Sequence, residues 1–268
     1  MAYDTRENIK SIGKNLMKLI TALTERYSCN HVFISVIGSG GKTSLIKLLS
    51  SEFSHLGKSV LITTTTKIQS PFFFDWGTNL VTDDLNMVKK WVTKSLYNKI
   101  AVLYALKSDS SEKWCAPNFN DLNDLKNYFD VILCEADGAK GFPLKKQTEK
   151  EPVILSFSNF TIAVMGVWAL GLKIKDSIFG YKPYIERNYK SEDDIVDIDI
   201  IKEYINNPDA LIKGLNVNDL ILVNGIDVFK NKEEKISMFK NLFTDNMQNY
   251  INNILLCSIK GDYGNWLC

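Results

Sequence analysis

An apolar run rich in β-branched residues, His31-Val32-Phe33-Ile34-Ser35-Val36-Ile37, leads into Gly38-Ser39-Gly40-Gly41. Lys42-Thr43-Ser44 follow, then a helical pattern through Leu45, Ile46, Leu48, Leu49 and Phe53. Strand, glycine-rich turn, Lys-Thr and helix, in that order, form the context a phosphate-binding loop requires. Glycines let the backbone turn tightly and aim consecutive N–H groups at an anion, and the helix start adds partial positive charge. In this reading Gly38, Ser39, Gly40, Gly41, Lys42, Thr43 and Ser44 cradle the phosphates of a nucleotide. Lys42 reaches the β- and γ-phosphates, and the Thr43 hydroxyl takes a Mg²⁺ position. The competing reading is an ordinary glycine-rich turn, and Lys-Thr at the helix start argues against it.

The spacing departs from G-x-x-x-x-G-K-[ST], because the first glycine would fall at position 36, which is Val36. The loop is shorter, and resembles the G-T-x-G-K-[ST] turn of Mur-type ligases. Beyond it, apolar runs at 59–63, 100–106, 130–135, 161–165, 220–224 and 254–257 read as strands, with helical stretches near Met87–Tyr97 and Leu122–Tyr128. Strands alternating with helices predict a three-layer α/β fold: a mostly parallel sheet covered by helices on both faces. Ile9, Ile12, Leu16, Leu19, Ile20 and Leu23, spaced by three and four, predict an amphipathic helix over 4–27 packed on the core. The expected organisation is that helix within 1–30 and one α/β domain over 31–268, with the weakly periodic stretch 168–218 a helical insertion.

Composition narrows the function classes. A net charge of +1 gives no global field for nucleic acid or an anionic membrane. Five scattered cysteines without CxxC spacing, and only two histidines, support neither a zinc site nor a disulfide framework. With no signal-peptide pattern and no apolar run of membrane-spanning length, the chain is expected to be cytoplasmic.

In open α/β sheets ligands bind at the carboxyl ends of strands, and every remaining motif follows one. Glu135-Ala136-Asp137-Gly138 puts two acids at the mouth of a buried strand. Glu135 is the candidate for holding Mg²⁺ opposite Thr43, and Asp137 for orienting an attacking group. A polar surface turn is the alternative. The basic, glycine-rich segment 138–146 could place Lys140 or Lys145 on a transferring phosphate or a second anionic substrate, or could be a solvated loop. Thr63–Thr66 and Lys67 offer hydroxyls and charge one βα unit after the loop, with Thr65 and Lys67 the candidate contacts. Asn224-Gly225-Ile226-Asp227 is similar to the N-K-x-D motif that reads guanine, but Gly225 lacks the aliphatic stem that packs on the base. A structural Asn-Gly turn is the favoured reading; Asn224 and Asp227 are retained as nucleotide-binding candidates in a site that, missing one wall, should take ATP at least as well as GTP. Trp168, after the strand at 161–165, is expected to be a packed tryptophan.

Together these motifs resemble a family. Gly38–Thr43, Val60–Ile68, Glu135–Lys145, Glu151-Pro152-Val153-Ile154, Val164–Gly171 and Leu222–Asp227 are similar to the YqeC-like selenium-dependent hydroxylase accessory proteins over roughly residues 31–230. In this chain Gly225 stands where that family tends to have Lys, and Lys140 where Arg is usual. The resemblance implies a P-loop NTPase core acting in maturation of a selenium- or molybdenum-dependent hydroxylase, that enzyme or its cofactor being the partner. Together with the motifs it gives the expectation of a protein that binds ATP or another NTP with Mg²⁺ and hydrolyses or transfers the γ-phosphoryl group. Two alternatives stay open: an ATP-dependent ligase or kinase for a small anionic substrate, and a non-catalytic nucleotide-gated chaperone or binding module.

Overall fold

The structure, a computed structural model, describes residues 31–94, 100–108, 112–188, 190–229, 231–247, 253–261 and 263–266. The helix expected over 4–27 and the end of the one expected near Met87–Tyr97 lie outside the described residues. The elements run β1 (Val32–Gly38), α1 (Lys42–His55), β2 (Val60–Thr64), β3 (Lys67–Gln69), β4 (Leu80–Thr82), α2 (Leu85–Lys94), β5 (Ala101–Tyr104), β6 (Lys113–Cys115), α3 (Phe119–Leu125) and β7 (Val131–Glu135). Then come β8 (Leu144–Lys145), β9 (Phe160–Gly166), α4 (Ile174–Ser177), β10 (Ile178–Phe179), α5 (Lys182–Asn188), α6 (Ile198–Asn206), β11 (Leu220–Asn224), α7 (Lys232–Met247), β12 (Asn253–Ser258) and β13 (Tyr263–Trp266).

Nine strands form one sheet in the order β13-β12-β11-β9-β1-β7-β2-β5-β4. All neighbours pair parallel except β13, which runs antiparallel on the β12 edge. The sequence dictates this. β1, β2, β7, β9 and β11 are buried along their whole length, the signature of strands covered on both faces. Alternation along β1 sorts the layers: Val32, Ile34 and Val36 pack with Leu45, Ile46, Leu49 and Phe53 of α1. Phe33 instead meets Leu122 and Leu125 of α3 and Val88 of α2, and Ile37 shares a cluster with Ile200, Ile201 and Tyr204 of α6 and Phe239 of α7. The architecture is the expected three-layer α/β sandwich.

Between 167 and 219 lie a 3-10 turn (Val167–Ala169), α4, β10, α5 and α6. Tyr184 of α5 and Ile200, Tyr204 and Ile205 of α6 belong to the same core as β9 and β11. Asp197 caps α6 by accepting from the Ile200 amide at 2.9 Å. The sheet's registers then bring the strand ends together: Val36 and Thr64 each pair with Glu135, Gly38 with Val164, and Asn224 with both Gly166 and Cys257. No helix of the described residues is long and apolar enough to cross a membrane.

Candidate functional site

The turn between β1 and α1 is built so that only glycine fits. Gly38, Gly40 and Gly41 have φ of 87°, 80° and 129°, a region L side chains rarely adopt. A Cβ on Gly38 would stand 2.3 Å from the Val164 carbonyl oxygen, and one on Gly40 2.4 Å from the Gly166 nitrogen. The segment after β7 wraps this turn. The Ser39 hydroxyl donates to the Phe142 carbonyl, the Gly40 amide donates to the same oxygen at 3.0 Å, and the Gly166 amide to Pro143 at 2.8 Å. From the other side the Asn224 amide donates to the Gly40 carbonyl at 2.8 Å and its oxygen accepts from the Ile259 amide at 2.9 Å. The loop is thus clamped between 142–143 and 224. The first turn of α1 has no side-chain cap and no acidic residue. Among the described residues no side chain caps its N–H groups, and the dipole favours an anion there.

Under the loop lies a cluster of buried charge. Asp137 has no exposed surface. It accepts from the Gly38 amide at 2.8 Å and from Gln147 at 2.6 Å. Its carboxylate also faces two ammonium groups, Lys42 Nζ at 3.0 Å and Lys145 Nζ at 3.3 Å. Lys42 Nζ further donates to the Gly38 carbonyl at 2.7 Å and lies 3.8 Å from Glu135. Lys145, completely buried, donates to Glu151 at 2.7 Å. Burial pushes the Glu135 carboxyl up and the Asp137 charge adds to this; Lys42, Lys113 and the Thr43 hydroxyl work against it. Glu135 Oε2 is buried and accepts no hydrogen bond from the described residues.

The remaining candidates divide. Thr43 is half-buried beside Glu135, and Ser44 is exposed one residue on. Thr64 donates to the Glu135 carbonyl and Thr65 to the Val153 carbonyl, both at 2.7 Å, so these hydroxyls tie the strand ends together. Lys67 and Asp227 are exposed. Lys140 is exposed too, at a φ of 46°, with its ammonium 5.8 Å from the centre of the Phe179 ring. Lys145, a candidate contact for a phosphate or a second anionic substrate, is buried under the loop and paired with Asp137 and Glu151. Asn224 places its amide on the loop, at the Gly40 carbonyl. The wall expected to be missing at Gly225 is filled: a Cβ there would meet the Trp168 ring at 2.6 Å, and the same ring covers Gly166.

Residues 34–182, more than half of the chain, match the family described as YqeC protein. The chain belongs to the YqeC family. It is 36% identical over 142 residues to Uncharacterized protein YqeC of Escherichia coli (strain K12), 53% of this chain and 54% of that protein. The match thus spans about half the length of that curated relative. The stretch matched to YqeC contains the loop, both acids, Lys145, Glu151 and Trp168, whereas Asn224, Asp227 and Ile259 lie beyond it.

Several residues of the site escape a reading by motif. Lys113, whose charge reaches Glu135, sits on β6 in an unremarkable Glu-Lys-Trp stretch, brought near by its antiparallel pairing with β3. Gln147 and Glu151 follow the basic segment with no spacing that marks them. Gly166 and Trp168 carried a signal in hindsight, since a glycine two residues before a tryptophan leaves room for the ring.

Proposed function

We propose that the chain binds a nucleoside triphosphate, ATP or another NTP, with Mg²⁺ at residues 38–44, and hydrolyses or transfers its γ-phosphoryl group. One observation carries this reading. The Lys42 ammonium is held at a strand-to-helix turn by Gly38, Asp137 and Glu135, beneath a helix start that no side chain among the described residues caps. A phosphate seated in the loop would meet backbone N–H groups, the helix dipole and a cation already oriented by its neighbours.

The residues present fit Mg²⁺. Glu135 Oε2 lacks a partner, and the Thr43 hydroxyl stands beside the carboxylate, both hard oxygen donors. Among the described residues no three His, Cys, Asp or Glu side chains gather as a metal cluster, which suits an ion that keeps phosphate and water ligands. When bound, Mg²⁺ would neutralise charge on the phosphate oxygens. Lys42 would do the same from the protein side. Asp137, fully buried, serves in this reading as the countercharge that positions Lys42 and Gly38, not as the group that orients an attacking water. Lys140 and Lys67, exposed near the strand ends, are the cations left to meet a second anionic substrate.

The resemblance to selenium-dependent hydroxylase accessory proteins supports maturation of a selenium- or molybdenum-dependent hydroxylase as the setting. Calorimetry with ATP and GTP, with and without Mg²⁺, tests the core of the proposal. The expected outcome is Mg²⁺-dependent binding that Lys42→Ala weakens at least about tenfold, or roughly 1.4 kcal/mol. Equal affinity in the variant would remove the loop from the reading. Phosphate release without a second substrate supports hydrolysis; strict dependence on one supports transfer or ligation.

A further inference from the structure

We infer that Trp168 and Asp227 form a purine subsite beside the loop that selects guanine, an inference that rests on the nucleotide reading above. The argument begins at the clamp. Asn224 binds the loop through Gly40 and the chain after β12 through Ile259, so three strand-end segments are fixed against one another. The Ile259 side chain reaches the loop as well: a Cβ on Gly41 would come within 3.1 Å of its Cδ1. Asp227 follows in the 3-10 turn Ile226–Val228, three residues from the clamp. Gly225, at a φ of 94°, starts that turn and sets its direction. Asp227 is exposed at this edge, near enough to the end of β12 that, after burial, its charge is what raises the Cys257 thiol.

Trp168 supplies the second half. Its ring lies over Gly166 and Gly225, the final residue of β9 and the residue just after β11. It fills the space a side chain at 225 would take, and remains partly exposed. Its indole N–H donates to no group among the described residues. A partly exposed aromatic ring next to a phosphate loop is a stacking platform of the kind bases use. Stacking alone tolerates any base; the carboxylate discriminates. Guanine presents two adjacent donors, N1–H and the 2-amino group, which one carboxylate can accept together. Adenine presents a lone pair at N1 beside its amino group, and a carboxylate repels that lone pair. Trp168 stands where a wall was expected to be missing, and with it in place the subsite discriminates.

Competition calorimetry on the full chain with GTP, ATP, XTP and inorganic tripolyphosphate, all with Mg²⁺, tests this. GTP should bind at least about tenfold tighter than ATP, because an unmatched polar edge costs affinity. Asp227→Asn should erase that preference and tighten XTP at least about tenfold, since the amide can donate to xanthine's 2-oxo group. Tripolyphosphate affinity should stay unchanged in that variant. Trp168→Ala should weaken GTP and ATP alike, and Trp168→Phe should restore most of the loss, which separates stacking from a folding defect. Equal affinity for ATP and GTP in the unaltered protein overturns the guanine subsite and leaves the phosphate site standing. Failure of every nucleotide and of tripolyphosphate to bind overturns both.

Discussion

Removing the Lys42 side chain takes one cation from a cluster in which Asp137 is wholly buried and Glu135 nearly so. Asp137 would keep Lys145 and Gln147, but Glu135 would lose the one ammonium within 4 Å of it among the described residues. Leaving a buried charge without its partner is strongly destabilising. Lys42→Ala is therefore expected to lower stability by about 3 kcal/mol, measured by urea denaturation, besides weakening nucleotide binding. In the sequence Lys42 reads as a phosphate ligand, and its ion pairs with Asp137 and Glu135 are not visible. The difference arises because an ammonium at a strand end can rest on acids from a neighbouring strand, and no local pattern shows which strand that is. A loss below about 0.5 kcal/mol, the range of a surface substitution, would mean that the acids relax without it.

At the scale of elements, the clamp is the part most open to test. Asn224→Ala removes the donor to Gly40 and leaves the buried Ile259 amide without its acceptor. Orphaning a buried group costs about 1–3 kcal/mol. The expected result is a fall of that size in unfolding free energy, with weaker triphosphate binding from a looser loop. Asn224→Asp keeps an acceptor for Ile259 but sets a buried carboxylate oxygen against the Gly40 carbonyl, so stability should not recover. The long strands were legible because β1, β7, β9 and β11 are unbroken apolar runs, and the loop because its glycines and Lys-Thr are contiguous. β3, β4, β6, β8 and β10, two or three residues each, are too short to show any period. They form because tertiary pairing holds them: β3 with β6, β8 with β10, and β4 on β5. For the same reason Lys113 and Glu151 were invisible, since each owes its place to pairing or packing and not to spacing.

For the molecule as a whole, a ligand that binds only the folded state must raise the melting temperature. At a free concentration near 100 times Kd the gain is about 2.7 kcal/mol, which for a chain of this size corresponds to roughly 5–10 °C. Scanning fluorimetry with GTP and Mg²⁺ should show that rise, and EDTA should reduce it if Glu135 and Thr43 hold the ion. No shift at saturating nucleotide would count against the whole reading. The clamp has one more consequence. Gly40 and Asn224 are separated by 184 residues, and Ile259 comes later still. Chains leave the ribosome amino end first. The glycine turn, both acids and the 142–143 side of the clamp therefore emerge well before Asn224 and Ile259, and the second side closes only once those have followed. A message truncated ahead of codon 259 would yield a polypeptide that holds the turn and Asn224 but lacks the Ile259 amide that fixes the Asn224 side chain.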